Sequence, residues 1–100
     1  MSTAEIVKML KGAKELLVTK GWTKEEYEDS NGRYCIIGAC VKAVDGETLL
    51  ETQSPDESVV EALGFESDGD AFLWNDCTSR TLEDVLARID YSIAIAEGRA

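Results

Sequence analysis

Apolar residues recur at intervals of three and four through the first twenty positions of the chain, which is the pattern of a helix with one buried face. These apolar positions are Ile6, Val7, Leu10, Ala13, Leu16 and Leu17. Ser2 and Glu5 have the spacing of a capping box, and Gly21 supplies a stop. The pattern predicts a helix over residues 3–20. Because a chain of 100 residues can build only one core, the other segments must pack on this helix.

A second apolar run extends over residues 34–44, and its length and branching alone are compatible with a helix or a buried strand. We favour a helix, because Gly38 and Ala39 would let its backbone approach a neighbouring helix closely. Trp22 directly follows the first helix, and we expect it to fold back on the apolar face of that helix.

Helix-start signals occur twice more in the chain. Ser54, which stands before the single proline, predicts a helix that ends at Gly64. Thr81 predicts a last helix that ends near Gly98. The stretch between these two helices, residues 65–80, is predicted to be a long irregular segment, and such segments are often functional in a small domain.

The predicted fold class is all-α: residues 1–100 form a small single domain of about four helices. The Asn31-Gly32 pair is a turn signal, so the sequence is also compatible with one short β-hairpin near residues 27–36. The segment 23–27 carries a further capping pattern, which predicts one or two helical turns.

The charge is concentrated in one part of the chain. Residues 43–79 hold ten carboxylates and no Lys or Arg. Residues 1–44 carry seven bases and six acids, a net charge of +1, whereas residues 45–100 carry three bases and fourteen acids, a net charge of −11. Such a field repels nucleic acid and anionic lipid, and it attracts basic protein surfaces or cations over a screening length of about 8 Å.

This acidic stretch predicts a non-enzymatic protein-interaction module that engages a basic protein surface. One form of the hypothesis is nucleic-acid mimicry, in which spaced carboxylates copy phosphates. The predicted partner-binding residues are Asp45, Glu47, Glu51, Asp56, Glu57, Glu61, Glu66, Asp68 and Asp70. We expect no direct binding of nucleic acid or of a membrane. Self-association stays open, and a purely structural or assembly domain is the simplest alternative.

Histidine is absent from the chain, which removes the commonest general base and the commonest transition-metal ligand. Cys35, Cys40 and Cys77 lack the paired spacing of a zinc site. The oxygen-bearing side chains of residues 66–76 match only the first fragment of an EF-hand calcium loop. We therefore expect no metal, no cofactor and no catalytic residue, and we favour a protein that is not an enzyme.

A pocket between the Trp74 loop and the Cys35 helix is the main alternative, as the site of a small-molecule or cation-binding protein. Its candidate residues are Trp22, Tyr34, Cys35, Trp74, Asn75, Asp76 and Arg80. A thiol in the first turn of a helix would have a lowered pKa, but for Cys35 we favour a buried, unreactive thiol. For Asn75, Asp76 and Arg80 we favour bracing of a tight turn, in which the arginine pairs with the aspartate, over catalysis.

The first residues have neither the basic lead nor the apolar core of a secretory signal. No apolar run approaches the roughly 18 residues that a membrane span needs. The three cysteines are an odd number, which argues against a disulfide framework. We expect a cytoplasmic protein with free thiols.

Four short islands of sequence occur in a definite order. They are Gly21-Trp22-Thr23, Tyr34-Cys35-Ile36-Ile37-Gly38-Ala39, Trp74-Asn75-Asp76, and Arg80-Thr81 with Val85-Leu86. In this order and spacing the chain resembles domain of unknown function family 6197, a family of small uncharacterised proteins from actinobacteria and their phages. The resemblance implies a phage or actinobacterial accessory protein, and it implies no activity. The family tends to have a longer segment between the first and second islands, where this chain has only a short turn.

Overall fold

Five α-helices form the fold of residues 1–99, which are the residues that the computed structural model describes. They are α1 (Thr3–Lys20), α2 (Ile36–Asp45), α3 (Glu57–Ala62), α4 (Asp68–Asn75) and α5 (Leu82–Ala96). The all-α class is confirmed, with five helices where the sequence predicted about four. None of these helices combines the length and the apolar character needed to cross a membrane.

Helix α1 has the predicted bounds and the predicted cap. Ser2 Oγ accepts a hydrogen bond from the Glu5 N–H, and Glu5 Oε1 accepts one from the Ser2 N–H, each at 3.1 Å. At the other end Gly21 has a φ of +106°, a conformation that favours glycine. Both ends of α1 are therefore fixed by local sequence.

The core lies where α2 and α5 pack against α1. Leu10, Ala13 and Leu17 of α1 are completely buried. Gly12 lies where α1 and α2 approach closely, because a Cβ added there would be 3.0 Å from the Cβ of Ala43. Burying one leucine side chain contributes about 1.5–3 kcal/mol, so this face of α1 supplies several kcal/mol of stability.

Helix α4 corrects the prediction of an irregular segment over residues 65–80. Ser67 caps this helix, since its Oγ accepts a hydrogen bond from the Asp70 N–H at 3.1 Å. Two acids in the first turn interact favourably with the helix dipole. The buried residues of α4 are Ala71 and Asn75. Because one of them is polar, the sequence of α4 shows little of the apolar periodicity that predicts a helix.

The segment between α1 and α2 is a loop, and the helical turns predicted for residues 23–27 do not occur there. Glu25 has a φ of +71°, which no right-handed helix contains. The predicted hairpin is reduced to single bridges: Tyr34 pairs with Glu28 in antiparallel fashion and with Trp22 in parallel fashion. The loop takes its shape from these bridges and from hydrogen bonds that its backbone donates to the side chains of Glu51 and Asp76.

Two details of the predicted helices differ in the structure. Asp56, rather than Ser54, caps α3, because its Oδ1 accepts a hydrogen bond from the Ser58 N–H at 2.9 Å. Gly38 does permit a close approach, but to the loop before α2 rather than to a helix. A Cβ at this position would overlap the carbonyl oxygen of Tyr27.

Candidate functional site

One buried side chain, that of Asn75, joins α4 to both ends of the loop before α2. Its Oδ1 accepts hydrogen bonds from Trp22 Nε1 at 2.8 Å and from the Ile36 N–H at 3.0 Å. Its Nδ2 donates to Thr23 O at 3.1 Å and to Asp76 Oδ1 at 2.9 Å. The amide thus uses both acceptor and both donor positions within the protein. We call this set of contacts the Asn75 junction.

Asp76 extends the junction, and it does not pair with Arg80 as predicted. Asp76 Oδ1 also accepts a hydrogen bond from the Glu25 N–H at 3.0 Å, which holds that residue in its positive-φ conformation. Arg80 Nε donates to Trp74 O at 2.8 Å, and the guanidinium carbon lies 4.1 Å from the centre of the Trp74 ring. The indole therefore takes the place of the predicted aspartate partner. The contacts of Asn75 and Asp76 are those of a braced turn.

The Cys35 side chain caps α2 from inside the core. Its Sγ accepts a hydrogen bond from the Gly38 N–H at 3.3 Å, and the side chain is completely buried. Burial raises the pKa of Cys35 to about 12, so the lowered pKa considered for this thiol is wrong. All three cysteines are free, as predicted. Cys77 is the exposed one, and hydrogen bonds with Ser79 lower its pKa.

The residues predicted to line a pocket come together as packed contacts. Trp22 is hydrogen-bonded to Asn75, and Asn75 in turn accepts a hydrogen bond from the first residue of α2. Tyr34 is 5% exposed and Cys35 is 0% exposed. The Asn75 amide thus bridges the Trp22 indole and the start of α2.

The predicted partner-binding acids lie between the end of α2 and the first turn of α4, and most of them are exposed. Eight of the nine are exposed, and Asp68 is half-buried. Within residues 1–99 none of the nine forms a salt bridge. The acidic surface, as we call it, comprises Asp45, Glu47, Glu51, Asp56, Glu57, Glu61, Glu66 and Asp70. Its charge is therefore screened by solvent and mobile ions rather than by basic side chains.

Some of these acids also hold the fold together through Tyr27. Glu51 Oε1 accepts a hydrogen bond from the Tyr27 N–H, and Asp68 Oδ2 accepts one from the Tyr27 hydroxyl, each at 2.8 Å. Burial, followed by the hydrogen bond to Asp68, raises the pKa of Tyr27 above its ordinary value. Nothing in the local sequence predicts this role of Tyr27, because its polar neighbours resemble those of an exposed loop residue.

A cleft of about 320 Å³ opens between α3 and α4, next to the acidic surface. It is lined by Ser54, Pro55, Glu57, Val60, Glu61, Glu66, Ser67 and Asp68. Four of these eight residues are acids and none is basic, so the cleft has the same sign of charge as the surface around it. In the described part of the chain no three His, Cys, Asp or Glu side chains are grouped closely enough to hold a metal ion.

One family model matches almost the whole chain. It is described as "Family of unknown function (DUF6197)" and covers residues 1–95, which include the Asn75 junction and the acidic surface. No curated protein and no solved structure matches the chain.

Proposed function

Because the chain belongs to the family of unknown function DUF6197, its activity must be inferred from its own surface, and we propose a non-enzymatic protein-interaction module. In this proposal the acidic surface binds a basic surface of another protein. One observation carries the proposal. Eight exposed carboxylates lie in a stretch without any Lys or Arg, and none of them forms a salt bridge in the described residues.

A surface that carries charge of only one sign affects both the stability of the protein and its binding of a partner. Carboxylates held close together destabilise the compact state by mutual repulsion. A partner that carries Lys and Arg side chains would relieve this repulsion on binding. The same field would steer the partner toward the surface and raise the association rate by roughly 10-fold to 1,000-fold.

The cleft between α3 and α4 offers a place for one side chain of the partner. A lysine side chain has an aliphatic stem and a terminal ammonium group. Pro55 and Val60 supply apolar wall for the stem, and Glu57, Glu61 and Glu66 supply carboxylates for the ammonium group. A lysine at the centre of the partner's basic surface is therefore the group that this cleft would accept.

Nucleic-acid mimicry is the more specific form of the proposal. In that form the partner is a nucleic-acid-binding protein, and the carboxylates occupy the places of phosphates. Competition separates this form from the general one. A DNA duplex would displace the protein from a partner that it occupies by mimicry, whereas a partner whose basic surface does not bind DNA would stay bound.

The proposal is tested by the binding of a fluorescent oligolysine peptide, followed by anisotropy at about 50 mM and about 200 mM NaCl. One variant removes four charges from the acidic surface: Glu57→Gln, Glu61→Gln, Glu66→Gln and Asp70→Asn. A matched variant removes four exposed charges elsewhere: Glu15→Gln, Glu25→Gln, Glu26→Gln and Glu83→Gln. Each variant changes the formal charge from −10 by +4 to −6.

We expect the acidic-surface variant to bind the peptide at least about 10-fold more weakly than wild type, and the matched variant to bind within about 2-fold of wild type. Binding of the wild type should weaken as salt rises. Equal weakening in both variants would mean that net charge alone attracts the peptide. That result, or an affinity that does not respond to salt, would overturn the proposal.

A further inference from the structure

The four arginines of the chain fall into two classes. Arg33 and Arg99 are exposed, and each forms a salt bridge of 2.6 Å with a carboxylate. Arg80 and Arg88 are half-buried, and in the part of the chain that the structure describes neither forms a salt bridge. Buried charges are normally paired, so two half-buried cations without a carboxylate are unexpected in a chain with twenty acids.

Both of these arginines lie against one aromatic pair. The guanidinium carbon of Arg80 is 4.1 Å from the centre of the Trp74 ring, and that of Arg88 is 5.2 Å from the same centre. Arg88 also lies 4.1 Å from the centre of the Phe65 ring. Both guanidinium groups are therefore held against the Trp74 ring by cation–π contacts.

The hydrogen bonds of the two groups involve only their inner nitrogens. Arg80 Nε donates to Trp74 O at 2.8 Å, and Arg88 Nε donates to Leu63 O at 2.9 Å. A guanidinium group has five N–H donors, so four remain on each arginine, and they have no protein acceptor among residues 1–99. These outer N–H groups form the planar fork that binds carboxylate and phosphate oxygens.

The two positive charges also act on each other. Burial lowers the pKa of Arg88, and the charge of Arg80 lowers it further. An anion bound at these outer nitrogens would oppose both effects, because it replaces the lost water and supplies the missing negative charge.

A groove of about 370 Å³ lies beside Arg88, between the end of α3 and α5. Arg88, Tyr91, Ser92 and Ile95 share one face of α5, because the last three follow Arg88 by three, four and seven residues, and all four line the groove. Tyr91 is 61% exposed and Ile95 is 53% exposed. The groove therefore places exposed apolar surface next to a half-buried positive charge.

We propose that Arg80 and Arg88 bind the oxyanion of a small organic acid or phosphate ester, whose apolar part lies in this groove. The inference goes beyond the proposed function, since these arginines are not part of the acidic surface. The net charge of −10 repels free anions at long range, and Glu61 also lines the groove. Affinity must therefore come from the guanidinium fork together with apolar contact, so an inorganic anion should bind more weakly than one with an aromatic group.

The first test is a titration of the wild-type protein, followed by 1H–15N NMR of the arginine Nε–Hε and tryptophan indole groups. The probes are phenyl phosphate and phenylacetate, with inorganic phosphate and benzyl alcohol as controls, all at one ionic strength. For at least one aromatic anion we expect saturable shifts at Arg80, Arg88 and Trp74, with a dissociation constant below about 1 mM. Arg33 and Arg99 should not shift.

The pattern of response also identifies the group that binds. A response to phenyl phosphate alone indicates a phosphate ester, and a response to phenylacetate alone indicates a carboxylate. The proposal is overturned if neither probe gives saturable shifts, if Arg33 and Arg99 shift to the same extent, or if benzyl alcohol binds as tightly as the anions.

The second test uses lysine variants, which keep the charge but lose the fork. We expect Arg80→Lys and Arg88→Lys to weaken binding of the better probe at least about 10-fold, and the matched variant Arg33→Lys to leave it unchanged. Circular dichroism establishes that each variant is folded. If Arg88→Lys does not fold, the proposal is judged from the affinity of Arg80→Lys and from the wild-type titration. Unchanged affinity in a folded Arg80 or Arg88 variant would overturn the proposal.

Discussion

Replacing Asn75 with alanine should remove a large part of the stability of the protein. The change leaves Trp22 Nε1 and the Ile36 N–H without an acceptor and the Thr23 carbonyl without its donor. Each unsatisfied buried polar group costs about 1–3 kcal/mol. Because the Trp22 and Thr23 contacts are part-buried, water can replace some of what is lost there. We expect a total loss of about 3–5 kcal/mol.

The loss is measured by urea unfolding, followed by circular dichroism and tryptophan fluorescence, with the free energy obtained by linear extrapolation. Asn31→Ala is the matched control, because Asn31 is the only other asparagine and is exposed. It should cost less than about 0.5 kcal/mol. A loss of less than about 1 kcal/mol for Asn75→Ala, or equal losses in the two variants, would refute the reasoning, since the four hydrogen bonds would then be replaced by water at little cost.

Two further predictions concern thiols and alkaline pH. In the native protein one thiol per chain, that of Cys77, should react readily with a disulfide reagent, since Cys35 and Cys40 are buried and burial raises the pKa of both. Rapid reaction of a native Cys77→Ser variant would contradict this. The pKa of Tyr27 is raised on folding, so the unfolded chain releases that proton at lower pH and the free energy of unfolding should fall as the pH rises above about 10. The variant Tyr27→Phe should show a smaller fall, with the parts due to Tyr34 and to the buried thiols of Cys35 and Cys40 remaining, and an unchanged slope would count against the assignment.

The helices whose ends are encoded locally were predictable from the sequence. Both α1 and α5 begin with a capping box, and both keep the apolar periodicity of a helix over many residues. Helix α4 was not predictable in this way. One of its two buried residues is Asn75, whose partners Trp22 and Ile36 lie 53 and 39 positions away in the sequence. No local sequence pattern indicates contacts between residues so far apart in the chain.

The predicted partner-binding acids could be read from the sequence, but their structural roles could not. Glu51 and Asp68 bind Tyr27 across 24 and 41 positions, which periodicity does not reveal. The predicted pairing of Arg80 with Asp76 failed for a similar reason. Asp76 Oδ1 already accepts two N–H groups, and the face of a nearby indole offers the arginine another partner.

The Asn75 junction also bears on how the loop before α2 can vary in length. The amide contacts Trp22 and Thr23 at one end of the loop and Ile36 at the other, so a single side chain closes the loop at its base. In a closed loop each doubling of length costs only about 0.6 kcal/mol. Residues inserted at the exposed turn around Asn31 would therefore extend outward and leave α1 and α2 in place. The helical body can in this way carry a lobe of variable size on an unchanged frame.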